Sequence, residues 1–172
     1  MTNSRGASLA GFEKRERLLA AKLLSENKCI SEYSFTSGRI FYDGIAVSTD
    51  GRKALFEIKV RDFDVNTYNT YFLEVAKFKN LFEAGERTGH TILYINFFKT
   101  DDPERWEYIS FNLSKRIEHW RKNGSPATER IRMNKETFIS RQEKIYKDVI
   151  RLSYEPEMDK KGWVFTPNNK KK

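Results

Sequence analysis

Two strand-like segments, Ile40-Phe-Tyr-Asp-Gly-Ile-Ala-Val47 and Lys53-Ala-Leu-Phe-Glu-Ile-Lys-Val60, flank the turn signal Asp50-Gly51, and this hairpin constrains the fold more than any other feature of the chain. It puts Asp43, Glu57 and Lys59 into otherwise apolar strands. Charged side chains are rarely buried without partners, so these three imply a salt-bridge cluster or a metal and phosphate site. Loop length decides how they meet. A two-residue loop would set Asp43 opposite Ile58 and send the two carboxylates to opposite faces. A three-residue loop, Thr49-Asp50-Gly51 with Gly51 left-handed, sets Asp43 opposite Glu57 with Cβ atoms roughly 4.5–5.5 Å apart, within reach of one divalent cation. We favour the three-residue loop. In that register Phe41, Asp43, Ile45, Leu55, Glu57 and Lys59 share one face. Tyr42, Gly44, Ala46, Phe56, Ile58 and Val60 form an apolar face suited to packing against helices.

Around the hairpin, helix and strand patterns alternate. A helix is expected over residues 9–26, strands over 31–35, 39–47 and 53–60, and a second helix over 71–84 with Gly85 and Gly89 at its exit. Strands at 91–97 and 106–113 and a short basic helix at 114–122 follow. Beyond these, 130–133 reads as an edge strand, 135–147 as partly helical and 148–154 as a last strand. Residues 1–155 read as one domain and 156–172 as a basic flexible tail. In the first helix, at about 100° per residue, Phe12, Leu19 and Leu23 lie within about 40° of one another with Glu16 at the edge of that arc. Glu16 therefore faces inward, with Glu13 in reserve.

Composition narrows the partner. Among 172 residues, Lys plus Arg exceed Asp plus Glu, 32 to 24, and aromatic residues make up 14 %. That balance favours a polyanion, nucleic acid first. The single cysteine, Cys29, excludes an internal disulfide and fits a reducing compartment. The longest apolar run, around residues 91–98, falls short of the roughly 20 residues that span a bilayer. The polar N-terminus shows no secretory signal, so a cytoplasmic protein without a membrane partner is expected. His90 and His119 are too isolated for a zinc site, and no phosphate-binding Gly-rich loop is present.

A helix with an inward glutamate, a hairpin carrying an aspartate and then Glu57-Ile58-Lys59, and a further helix with two strands is similar to the PD-(D/E)XK nuclease superfamily over roughly residues 9–113. The resemblance implies an α/β fold with a restriction-endonuclease-like core, a central mixed β-sheet with flanking helices in αβββαβ order plus C-terminal additions. It also implies a metal-dependent deoxyribonuclease with catalytic Glu16, Asp43, Glu57 and Lys59. In such a site Asp43, Glu57 and the Ile58 backbone carbonyl would hold Mg²⁺, with Mn²⁺ able to replace it, and Glu16 could hold a second metal or its water. Lys59 would orient the attacking water and bind the phosphate. One lysine against two carboxylates leaves net negative charge, which favours a cation. Tyr42 stands where the signature proline precedes the aspartate. Glu74 and Phe78 occupy the Gln-xxx-Tyr spacing of RecB-like members, which separates the chain from that branch.

Weaker nucleic-acid contacts are expected at Arg61 and Tyr68 after Lys59, and at Lys115, Arg116, Arg121 and Lys122 on the short basic helix. DNA is favoured over RNA as the partner, and an endonuclease over a processive exonuclease, since no helicase or ring-forming module is evident. A homodimer is one arrangement that would cut both strands. The alternatives are a non-catalytic nucleic-acid-binding protein with a nuclease-like fold, and a protein-interaction module with an incidental basic surface.

Overall fold

The computed structural model describes residues 4–37, 40–134 and 144–166. Helix α1 (Ser4–Glu26) precedes strands β1 (Ile30–Phe35), β2 (Gly44–Ser48) and β3 (Lys53–Arg61). A 3₁₀ turn at Val65–Thr67, capped by the Asp64 carboxylate on the Asn66 N–H, leads to β4 (Tyr71–Glu74) and α2 (Val75–Thr88). Then come β5 (Thr91–Lys99), β6 (Arg105–Asn112), α3 (Leu113–Asn123), β7 (Thr128–Asn134), β8 (Lys144–Leu152) and β9 (Lys160–Phe165).

A six-stranded mixed sheet runs β1-β2-β3-β5-β6-β9, and a second, three-stranded sheet runs β4-β8-β7. Only β3 and β5 are parallel in the large sheet. Parallel neighbours require a crossover, and β4 with α2 supplies it. One face of the sheet packs on α1, where Leu19, Ala20 and Leu24 meet Ala46, Phe56, Ile58, Val60, Ile95 and Phe97. The other face is covered by α2, α3 and the small sheet, with Leu81, Ile117, Leu73 and Ile150 against Tyr94, Phe98 and Phe111. Burial on both faces explains why β3 and β5 read as nearly continuous apolar runs.

The hairpin has the three-residue loop. Ile45 pairs with Leu55 and Ala46 with Ala54, Gly51 adopts φ +82°, and the Gly51 N–H donates to the Ser48 carbonyl at 2.8 Å. Gly44 is needed for close approach, because a Cβ there would strike the Phe56 ring and the Ser34 carbonyl.

Several sequence expectations change. The element order is αβββ, then β4, then αββ. The segment expected to start a helix at Tyr71 begins as a strand instead: Tyr71 and Leu73 are buried and Tyr71 pairs with Leu152. Four residues are too few to separate a period of two from 3.6, and the partner strand is far along the chain. The strand expected from residue 39 begins only at Gly44, because the chain bends at Phe41–Asp43. Strand β8 starts earlier than expected and includes 144–147; the rest of the predicted helix, 135–143, lies outside the described residues. The expected tail supplies an edge strand, β9, whose Val164 is fully buried, while 167–172 lie outside the described residues.

Candidate active site

The site forms where β2 parts from β3. The last ladder contacts are the Gly44–Phe56 pair and the Asp43 N–H donating to the Phe56 carbonyl at 2.9 Å. Beyond them the Ile58 and Val60 N–H groups on that edge of β3 lack a strand partner, and unpaired backbone donors demand acceptors. Carboxylates supply them. Asp43 Oδ2 accepts from the Ile58 N–H at 2.7 Å, and Glu16 Oε1 from the Val60 N–H at 3.4 Å. Glu16 reaches this edge because it precedes Leu19 and Ala20 by about one turn on the buried side of α1. Tyr42 and Asp43 are fixed from the residue just after β1, by the Thr36 Oγ1–Tyr42 carbonyl bond at 2.6 Å and the Thr36 N–H bond to the Asp43 carbonyl at 2.9 Å.

A cavity of about 270 Å³ opens at this point, lined by Glu16, Asp43, Glu57, Ile58, Lys59 and Lys77, with Glu13 and Arg17 at α1. Five of the residues singled out from sequence, Glu16, Asp43, Glu57, Ile58 and Lys59, are therefore brought together. The Ile58 carbonyl lies on the same strand edge as its N–H and faces the Asp43 side.

Electrostatics set the protonation of the group. Glu57, only 5 % exposed, is pushed up to about 7 by burial; the Lys77 ammonium opposes this shift and Asp43 reinforces it. Burial also raises the Glu16 carboxyl against the pull of Lys59 and the Val60 N–H. Burial lowers the Lys59 ammonium, with Glu16 resisting and the Lys77 and Arg61 cations adding to the decrease. For Lys77 burial also acts downward, but the contact with Glu57 more than offsets it and the net shift is upward.

Lys77, which sequence reasoning missed, forms an ion pair with Glu57 Oε1. Its signal was available: Lys77 lies one turn before Leu81, on the side of α2 that carries buried Leu81, Ala84 and Gly85. Glu16, Asp43, Glu57 and the Ile58 carbonyl form the all-oxygen donor set that Mg²⁺ accepts, so the residue types fit. As placed, one Glu57 oxygen is engaged by Lys77, and among the described residues no three His, Cys, Asp or Glu are gathered into a metal-holding group.

The outlying candidates fare unequally. Arg61 lines a neighbouring cavity. Tyr68 is exposed and packs edge-on against Phe63. On α3, Lys115 donates to the Glu157 carbonyl at 3.2 Å, Arg121 pairs with Glu86 at 3.3 Å, and Lys122 is exposed. Arg116 is a correction: it is buried and ion-paired with Asp159 and Glu155, which removes it from any nucleic-acid surface. Its position between Leu113 and Ile117, both buried, puts it on the inner side of the helix.

No family model and no curated protein matches the chain. Among solved structures, Hjc, a Holliday junction resolvase from the hyperthermophilic archaeon Archaeoglobus fulgidus, aligns over 55 % of this chain and 70 % of its own, with a TM-score of 0.41 and 14 % identity. A likeness of that size leaves the site to stand on its own residues. Among the described residues no helix is long and apolar enough to cross a membrane.

Proposed function

We propose that the chain is a divalent-cation-dependent nuclease, acting on DNA as an endonuclease, built on a restriction-endonuclease-like core. The observation that carries this reading is the convergence of Glu16, Asp43, Glu57 and Lys59 on one cavity at a splayed strand edge. The net charge of +8 supports a polyanionic substrate.

In this reading Asp43, Glu57 and the Ile58 carbonyl would hold Mg²⁺ or Mn²⁺, with Glu16 as a further ligand. The cation would stabilise charge on the phosphoryl oxygens. Lys59, two residues from Glu57 on the same strand face, would orient the attacking water, accept its proton as the neutral amine and, as the ammonium so formed, neutralise the phosphate. The water oxygen forms the new bond to phosphorus, its proton passing to the Lys59 amine, as the bond to the departing sugar oxygen breaks and that oxygen takes up a proton from solvent water. To serve as a ligand through both oxygens Glu57 would have to part from Lys77.

The test is cleavage of supercoiled plasmid, linear duplex, single-stranded and branched DNA with Mg²⁺ or Mn²⁺ against EDTA, beside Glu57→Ala. Metal-dependent cutting that the substitution abolishes is expected. Absence of cutting on every substrate by the intact protein would refute the reading. One observation favours a second reading, a non-catalytic nucleic-acid-binding protein: Lys77 engages the glutamate that a cation would need. That protein would bind DNA equally with and without EDTA.

A further inference from the structure

A second cavity, of about 240 Å³, lies on the other side of Lys59 and Lys77, between the central sheet and the small sheet. Lys59, Arg61, Phe72, Glu74, Lys77 and Tyr94 line it. It is smaller than the roughly 300–1,000 Å³ of sites for drug-sized ligands. Its charge is lopsided. Among the described lining residues three cations face one carboxylate, Glu74, which Lys147 already pairs at 2.9 Å. Lys77 has Glu57 as a counter-ion, but Arg61 has none among its bonds to described residues. Its Nε donates to Asn96 Oδ1 at 3.0 Å, and its Nη2 to the Phe72 carbonyl at 3.1 Å and the Tyr94 hydroxyl at 3.0 Å. All three acceptors are neutral. They fix the plane of a half-buried guanidinium without neutralising it, an arrangement that costs solvation unless an anion completes it. Those bonds use the Nε–H and both Nη2 hydrogens, which leaves the two Nη1 hydrogens to donate to a phosphate oxygen.

We propose that this cavity is a second phosphate subsite, in which Arg61, flanked by Lys59 and Lys77, holds the phosphodiester next to the one in the acidic cavity. The two cavities share Lys59 and Lys77 as a common wall, so a backbone running past them presents successive phosphates to the two sites. Arg61 then sets the register of the strand, and Lys77, placed between the sites, faces Glu57 on one side and the flanking phosphate on the other. The inference rests on the nuclease reading for the identity of the neighbouring phosphate, but Arg61 binding can be read without catalysis.

The experiment follows DNA binding in EDTA as a function of salt for the full chain and Arg61→Gln, together with the Arg61 Nε–Hε NMR resonance, assigned by its loss in Arg61→Lys. Binding of single-stranded and duplex oligonucleotides is expected to lose about one in the slope of log K against log salt on substitution. The resonance should move with a phosphodiester oligonucleotide and stay in place with its uncharged methylphosphonate counterpart. An unchanged slope, or a resonance that ignores the oligonucleotide, would overturn the proposal. So would an equal response to inorganic phosphate at the same concentration, which would assign the cavity to a free anion. Should Arg61→Gln fail to fold, the wild-type resonance alone decides. Arg61-dependent binding without cleavage under Mg²⁺ would refute the nuclease reading and leave the phosphate subsite in place; cleavage with an indifferent Arg61 would do the reverse.

Discussion

Glu57→Gln should make the protein more stable at and above neutral pH, and the gain should vanish in acid. Burial pushes the Glu57 carboxyl from an ordinary 4.5 to about 7, against the opposing pull of Lys77. The folded state therefore holds this proton more tightly than the unfolded chain does. The contribution of this group to stability is greatest below about pH 4.5, falls as pH rises toward 7, and levels off once the group is ionised in both states. The gap between the two values corresponds to about 3 kcal/mol at 1.36 kcal/mol per pH unit. The Lys77 ion pair is already contained in that figure, because it is one of the causes of the net shift. Glutamine has nearly the shape of the protonated acid and cannot ionise, so it escapes the whole pH-dependent loss. For a chain of this length about 3 kcal/mol corresponds to a melting temperature higher by about 6–12 °C at pH 8. The assay is thermal unfolding of both proteins in EDTA from pH 4.5 to 8. A difference in melting temperature that stays constant across the range would refute the reasoning, since it would mean that Glu57 titrates no differently in the fold than in the unfolded chain. In place of EDTA, Mg²⁺ should raise the melting temperature of the wild type at pH 8 and leave Glu57→Gln unmoved. A protein that sacrifices stability at this residue would match the usual strain at functional positions.

Gly44→Ala should destabilise by about 1–3 kcal/mol by overpacking, because its methyl group meets the Phe56 ring and the Ser34 carbonyl; urea unfolding measures it, and an unchanged midpoint would show that the strands can part there freely. Since Gly44 adjoins Asp43, the cleavage proposed above should be lost in this variant even where it remains folded. Arg116→Met leaves the Asp159 carboxylate buried without its cation and should cost about 3–5 kcal/mol, read by denaturant unfolding. Limited proteolysis of that variant should cut first between Ser153 and Lys160, where Arg116 and Asp159 tie the approach to β9 to α3.

What could be read from the sequence was what depends on local chemistry. Asp50-Gly51 and the alternation on either side of it determine the hairpin register, and the spacing of Glu57 and Lys59 sets both on one face whatever the rest of the chain does. The arc containing Leu19 and Leu23 located Glu16. What could not be read depends on partners remote in sequence. Tyr71–Glu74 became a strand because β8 offers it an edge, and Lys160–Phe165 became one because β6 does. Composition around Lys160 and Lys161 gives no warning of this, for an edge strand can keep its charged residues in solvent while burying Val164 alone. Arg116 and Lys77 are misses of another kind. Each shares a helix side with buried residues, and the arc argument that found Glu16 would have found them too.

The carboxylate cluster also has a structural reason to exist, independent of the proposed chemistry. When β2 bends away at Asp43, two N–H groups of β3 would be left without acceptors in a largely buried strand. Asp43 and Glu16 fill those places, so the fold itself brings two carboxylates into the cavity that Glu57 lines, where their negative charge raises the Glu57 carboxyl and calls for cationic neighbours. Lys77 from α2 and Lys59 from β3 answer that demand within the protein, one by direct pairing with Glu57 and the other through its pull on Glu16. Neither lysine is confined to this task, since both also border the cavity that Arg61 lines. An anion in that cavity would draw Lys77 away from Glu57 and increase the negative charge seen by a cation on the acidic side. Filling the basic cavity and filling the acidic one are thus favourable to each other, and a substrate phosphate and a divalent cation would each strengthen the binding of the other.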